Sequence, residues 1–194
     1  MEAVDAAAVL SRARRGDGEA FRALVEHHGK TAFGLAFRLT GNAQDAEEIV
    51  QESFLRAYRQ LGRFEARANF GTWLHRIVVN CSMDVLRSRQ SRRVHQQVVD
   101  ADDATAGLQA DTPCPEQLAR SAEIERRVTA SLDALTPQER AAFTLRHREG
   151  RSIDEIGRTL GLQRSATKHA VFRAVKKLRV ALAPLRDQGI GNRG

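Results

Sequence analysis

Apolar positions along the chain recur at spacings of three and four, and strand-like alternation is absent. Ala20, Phe21, Leu24 and Val25 form one such stripe, and Gly41 can end the helix that they predict. Asn42 with Asp45 resembles a capped start for a second helix, which carries Ile49, Val50, Phe54 and Leu55 and runs to about Gln60. After Gly62 an irregular stretch, Arg63 to Thr72, precedes a third helix from about Trp73 to Arg92. Towards the C-terminus Thr136-Pro-Gln-Glu139 combines an N-cap threonine, a proline at the first helical position and a glutamate at the third, which is a capping box. Ser152-Ile-Asp-Glu155 is a second one, opening a helix that ends at Gly161, and a long helix starts near Ser165 and runs towards Leu182. The pattern predicts an all-α protein. Its last two helices, joined by a short glycine-containing turn with the second strongly basic, are a helix-turn-helix candidate.

Residues placed at intervals of 100° separate the faces of two basic helices. On the last helix Thr167, Val171, Ala174, Val175, Leu178 and Leu182 face a core. Ser165, His169, Phe172, Arg173 and Lys176 lie opposite, with Lys168 and Arg179 at the margin and Lys177 on the flank. Short hydrogen-bonding groups near the start of such a helix suit base edges, and flanking cations suit phosphates. On the earlier helix Leu74, Ile77, Val78, Cys81 and Val85 share one stripe, while Arg76, Asn80, Met83 and Arg87 share another. Just before it Phe64, Phe70 and Trp73 gather three of the ten aromatics within ten residues. Aromatics beside cations can stack unpaired bases, each stack being worth about 1–3 kcal/mol; equally, they can fill a core where a loop folds back.

Charge then divides the chain. Of 194 residues, 31 are basic and 24 acidic, a net charge of +7. Residues 1–99 carry +4, residues 100–125 carry −6 and residues 126–194 carry +9. The acidic stretch from Asp100 to Glu116 has few bulky apolar residues and two closely spaced prolines, so it reads as a flexible linker. The longest purely apolar run is Ala6 to Leu10, far short of the ~18 residues of a membrane span. The acidic start lacks the order of a signal peptide. The expectation is a cytoplasmic protein with no membrane partner. Its two cysteines, Cys81 and Cys114, show no metal-ligand spacing, and neither metal nor cofactor is expected.

The order of these pieces resembles an extracytoplasmic-function sigma factor of the sigma-70 family of bacterial initiation factors. Three motifs carry the resemblance. Asp45-Ala-Glu-Glu-Ile-Val-Gln-Glu-Ser-Phe-Leu-Arg-Ala-Tyr58 is similar to the family's region that docks on the polymerase clamp. The segment from Phe70-Gly-Thr-Trp73 to Arg87 is similar to its −10 recognition and melting region. Leu135-Thr-Pro-Gln-Glu-Arg-Ala-Ala-Phe-Thr-Leu-Arg146 with Gly150-Arg-Ser-Ile-Asp-Glu-Ile-Gly157 is similar to its −35-binding domain. The recognition-helix start, Gln163-Arg-Ser-Ala-Thr-Lys-His169, departs from the family by lacking its proline and its Gly-Thr-Val-Lys order, and Thr167 stands at an apolar position.

The resemblance implies two small helical domains: region 2 over residues 1–94 and a region 4 helix-turn-helix over 123–186. A flexible acidic linker over 95–122 would join them, with a tail over 187–194. The implied partners are core RNA polymerase, at the clamp of its largest subunit and the flap, and promoter DNA, duplex at −35 and single-stranded at −10. An anti-sigma factor is left open. Asp45, Glu48, Gln51, Glu52 and Arg56 would face the clamp. Phe64, Asn69, Phe70, Trp73, Arg76, Asn80, Met83 and Arg87 would meet the −10 element, with Asn80 and the preceding loop holding an unpaired base. Arg164, Ser165, Lys168, His169, Phe172, Arg173 and Lys176 would meet the −35 element. The linker would thread towards the RNA path.

A two-domain helix-turn-helix regulator acting without polymerase is the alternative, but it gives the Asp45–Tyr58 motif no role. An enzyme built on His27, His28, Glu26, Asp45 or Glu52 lacks any nucleophile–base pairing, and adjacent histidines on a helix face different directions.

Overall fold

The computed structural model describes residues 3–64, 69–96 and 130–189, and every regular element among them is helical. The chain divides into two compact units, Met1–Leu86 and Arg87–Gly194. The linker expected over residues 95–122 lies outside the described residues, apart from its first two positions.

Unit one holds α1 (Ala3–Arg14), α2 (Gly18–Thr40), α3 (Ala43–Gln60), a 3-10 turn (Leu61–Arg63) and most of α4 (Phe70–Gln96). Helix α1 has no counterpart in the sequence reading. Its alanine-rich start favours helix by propensity but supplies no stripe of large side chains for periodicity to detect. The joint to α2 is local chemistry: Gly16 takes φ 91°, Asp17 caps α2 by accepting from the Ala20 N–H, and Arg12 pairs with Asp17 at 2.7 Å. Gly41, at φ 71°, ends α2, and the Asn42 side chain accepts from the Asp45 N–H at 2.9 Å to start α3. Leu24, Leu35 and Leu39 of α2 are buried, as are Ile49 and Phe54 of α3 and Leu74, Val78 and Val79 of α4.

Helix α4 begins at Phe70, not Trp73, because Asn69 caps it: the Asn69 side chain accepts from the Gly71 N–H at 2.8 Å, and its carbonyl accepts from the Trp73 N–H. More than half the circumference of α4 is buried. Leu74, Ile77, Val78, Val79, Cys81, Ser82, Met83 and Leu86 all lie inside, leaving a narrow exposed wedge. That breadth corrects the wheel: Met83 was expected on the polar stripe but is 4% exposed.

Beyond the end of α4, the described part of unit two holds a helical segment over residues 130–133, followed by α5 (Pro137–His147), α6 (Ile153–Leu160) and α7 (Arg164–Gly189). Both predicted capping boxes form, at Thr136/Glu139 and Ser152/Glu155, each cap being worth about 1 kcal/mol. Leu135, Ala174 and Leu178 form an apolar cluster between the segment before α5 and α7. Helices α6 and α7 cross closely at Gly157, which is buried. A Cβ there would stand 2.8 Å from the Leu162 carbonyl oxygen and 3.1 Å from Thr167 Oγ1. Gly161 takes φ 66° to close the turn, and the Leu162 N–H reaches the Gly157 carbonyl at 2.8 Å.

Two glycine substitutions therefore rank in a stated order. Gly157→Ala should lower the stability of unit two by about 1–3 kcal/mol through backbone crowding. Gly161→Ala, strained only in φ, should cost about 1 kcal/mol. Amide-exchange protection of α5 to α7 measures both; equal effects would contradict the close crossing.

Candidate polymerase and nucleic-acid interfaces

Helix α3 carries its apolar side into unit one and leaves an acidic and amide-bearing face outside. Glu48 and Gln51 are exposed, and Asp45, Glu52 and Arg56 are half-buried. Arg56 is not simply presented to a partner. It bonds Glu52 at 2.6 Å along α3 and Asp84 of α4 at 3.3 Å, so it also ties the two helices. Beside this face is an element that sequence reasoning missed. Phe21, Val25, Phe33, Val50, Phe54, Leu55 and Tyr58 line an open apolar groove of about 500 Å³ between α2 and α3, with Glu47 and Gln51 at its edge. Leu55 and Tyr58 are large and exposed, and that combination on a helix otherwise amphipathic was the available signal.

The three aromatics before and within α4 do come together. Phe64 and Trp73 have ring centroids 4.8 Å apart, Phe70 and Trp73 5.7 Å, and Phe64 and Phe70 6.3 Å. Phe64 and Phe70 are buried while Trp73 is half-exposed, so two of the three fill the core and Trp73 alone shows an accessible ring. The cluster continues to His28, 5.2 Å from Phe70. Burial, and then the neighbouring His27, hold the His28 imidazole below its usual pKa. The His27 and His28 rings meet edge to face at 4.7 Å, closer than adjacent helical positions led us to expect. Among the described residues no group of three or more His, Cys, Asp or Glu side chains could hold a metal.

Arg76 and Asn80 occupy the exposed wedge of α4, and Arg87 follows on the same face by helical register. Asn69, exposed, has its side-chain oxygen committed to the cap described above. Cys81 is a buried thiol whose pKa burial raises, with Ser53 opposing, so it is a packed rather than a reactive sulfur.

On α7 the predicted division of faces holds. Thr167, Ala170, Ala174 and Leu178 are buried, whereas Arg164, Ser165, Lys168, His169, Phe172, Arg173 and Lys176 are all exposed, Phe172 to 67%. The departure at Thr167 is accommodated locally, its hydroxyl donating to the Gln163 carbonyl at 3.0 Å. Arg164 turns back to pair with Asp154 of α6 at 2.9 Å. The residue that sequence reasoning undervalued is Glu139, read only as half of a capping box. It is 2% exposed and accepts three bonds: from Arg173 Nε at 3.0 Å, Lys177 Nζ at 2.7 Å and the Thr136 N–H at 3.0 Å. Burial pushes its carboxyl pKa up, but Lys177, the Thr136 N–H and Arg173 together outweigh burial and hold it below 4.5.

Comparison with known proteins places this arrangement. Profiles of the sigma-70 family match twice, "Sigma-70 region 2" over residues 24–93 and "Sigma-70, region 4" over residues 125–178. The chain is 36% identical over 160 residues to the ECF RNA polymerase sigma factor SigE of Mycolicibacterium smegmatis, covering 82% of this chain and 60% of that one. It is 35% identical over 181 residues to the RNA polymerase sigma-H factor of Pseudomonas aeruginosa, covering 91% and 93%. The solved structure of CnrH in complex with the cytosolic domain of CnrY superposes with a TM-score of 0.59 at 28% identity, covering 91% of this chain and 96% of that one. The two matched regions define a transcription initiation factor of two helical parts. The chain belongs to the sigma-70 family, in its extracytoplasmic-function group. It is thus a non-enzymatic, polymerase-binding factor for promoter-specific initiation.

The Glu139 geometry gives a pH dependence with a definite sign. A carboxyl whose folded pKa is depressed contributes stability that is present above its unfolded value and lost as pH falls through the folded one. Amide protection of α5 and α7 should therefore fall as pH drops below 4.5. Glu155, also held low by bonds from Ser152, adds to the same trend. The Glu139→Gln variant should show a smaller fall than the wild type; an identical fall would contradict the assignment.

Proposed function

We propose that this initiation factor acts in the cytoplasm, docking on the clamp of core RNA polymerase through Asp45, Glu48, Gln51, Glu52 and Arg56 of α3. Arg76 and Asn80 of α4, with Trp73, hold an unpaired base of the −10 element. Phe64, Phe70 and Asn69 act from behind, fixing the start of α4. Capturing a flipped base offsets part of the cost of unpairing and so favours the open bubble. Helix α7 enters the −35 major groove with the face from Ser165 to Lys176, and the linker threads towards the RNA path.

The observation that carries this reading is the exposed polar face of α7 in a crossing made tight by Gly157. A merely solvated helix needs neither that crossing nor an exposed Phe172 in the middle of its cationic face. Among the described residues no helix is long and apolar enough to cross a membrane. An anti-sigma factor is the protein regulator that fits beside this reading. Its support is the complex of CnrH with the cytosolic domain of CnrY and the apolar groove beside the clamp-facing residues. A regulator acting without polymerase would leave the region 2 match, residues 24–93, without a purpose.

The test is reconstitution with purified bacterial core polymerase. The chain should co-purify with core at low salt and initiate from a selected promoter, and failure to bind core would sink the reading. Asn80→Ala should lower open-complex formation about tenfold, the worth of roughly one hydrogen bond to the held base, while leaving polymerase binding intact. Equal loss of both would refute the role of Asn80.

A further inference from the structure

Two cations of α7 lie at the edge of its exposed face, against α5. Arg173 reaches Glu139 Oε1 through Nε, and Lys177 reaches Oε2 through Nζ. Their partner cannot follow them into solvent. Glu139 is 2% exposed, sits in the first turn of α5 and also accepts the Thr136 N–H, so the arginine is oriented by the carboxylate and not the reverse.

The bond uses Nε, the N–H on the side of the guanidinium, and among the described residues neither Nη of Arg173 has a protein partner. The two Nη groups are the end of the fork. Presented end-on in a major groove, that fork matches the O6 and N7 acceptors of guanine, the commonest specific contact of an arginine with DNA. A phosphate contact tolerates many orientations and gains little from such fixing. A base contact gains directly, because the side chain is ordered before DNA arrives. His169, Phe172 and Lys176 are exposed on the same helix, so the arginine stands within a continuous reading face.

We propose that Glu139 is a positioning residue for promoter specificity: it holds Arg173 end-on to read a guanine of the duplex element that α7 enters, and balances the charge of Lys177. This rests on the reading of α7 as the −35 helix. One net positive charge then remains for the pair of cations, which restrains their attraction to DNA of any sequence.

The experiment uses holoenzyme assembled with core polymerase. Duplexes with a randomised upstream element are selected, and each guanine of the preferred sequence is replaced in turn by 7-deazaguanine, which lacks N7. For the wild type one replacement should weaken binding about tenfold. Glu139→Gln should cut that discrimination to about threefold or less while steepening the salt dependence of binding by about 0.9 in log–log slope, since one more cation is released to phosphate. Because Glu139 also caps α5, amide protection of α5 and α7 is measured alongside. Arg173→Lys, which leaves the cap in place, supplies the second arm and should lose the discrimination with protection retained. Discrimination intact in either variant, or 7-deazaguanine tolerated at every position by the wild type, would overturn the proposal. A wild-type holoenzyme that initiates but selects no upstream element would refute the −35 reading of α7 and the proposal with it. The two failures are therefore distinguishable.

Discussion

Glu139 is a carboxylate inside a small helical unit, and it keeps its charge there only because three donors converge on it. Removing an ionised group from water costs several kcal/mol unless charge and hydrogen bonds replace the lost hydration. The replacement comes from two separate places in the chain. Thr136 supplies an N–H from the start of α5, and Arg173 and Lys177 reach across from α7. One buried group thereby caps the start of one helix and fixes the rotation of another. The apolar contacts of Leu135, Ala174 and Leu178, with Leu132 and Phe143 packed against them, hold α7 close, but dispersion contacts are not directional. The charged contact is directional.

The same economy of means recurs in unit one. Arg56 joins Glu52 on its own helix to Asp84 on α4, while the aromatic cluster and the Asn69 cap set where α4 begins. Since α4 is buried around most of its girth, only a narrow wedge is left to present Arg76 and Asn80. On the proposed reading, recognition in both units depends on a helix whose orientation is set by packing and charged contacts such as those of Arg56 and Glu139.

Much of this was legible in the residues. Capping boxes, the glycines at 41 and 161 and the two faces of α7 follow from local chemistry, and local chemistry is what a sequence displays most directly. What stayed hidden was tertiary. Met83 sits at an angle that a wheel assigns to the polar stripe, and only the packing around α4 buries it. Phe64 and Phe70 could stack bases or fill a core with the same composition, and the fold chose the core. Glu139 looked like an ordinary cap because Arg173 and Lys177 lie 34 and 38 positions away. Helix α1 escaped because alanine marks a helix by propensity and not by period.

The claim that a buried carboxylate sets the recognition helix is tested most directly by a double-mutant cycle between Glu139 and Lys177. The single tryptophan, Trp73, lies in unit one, so free energies for unit two are read from native-state exchange of α5 and α7 amides. Glu139→Gln, Lys177→Met and the double variant complete the cycle. A coupling of about 1 kcal/mol or more is predicted for groups that share a partly buried charged bond. Effects that add to within about 0.3 kcal/mol would contradict it.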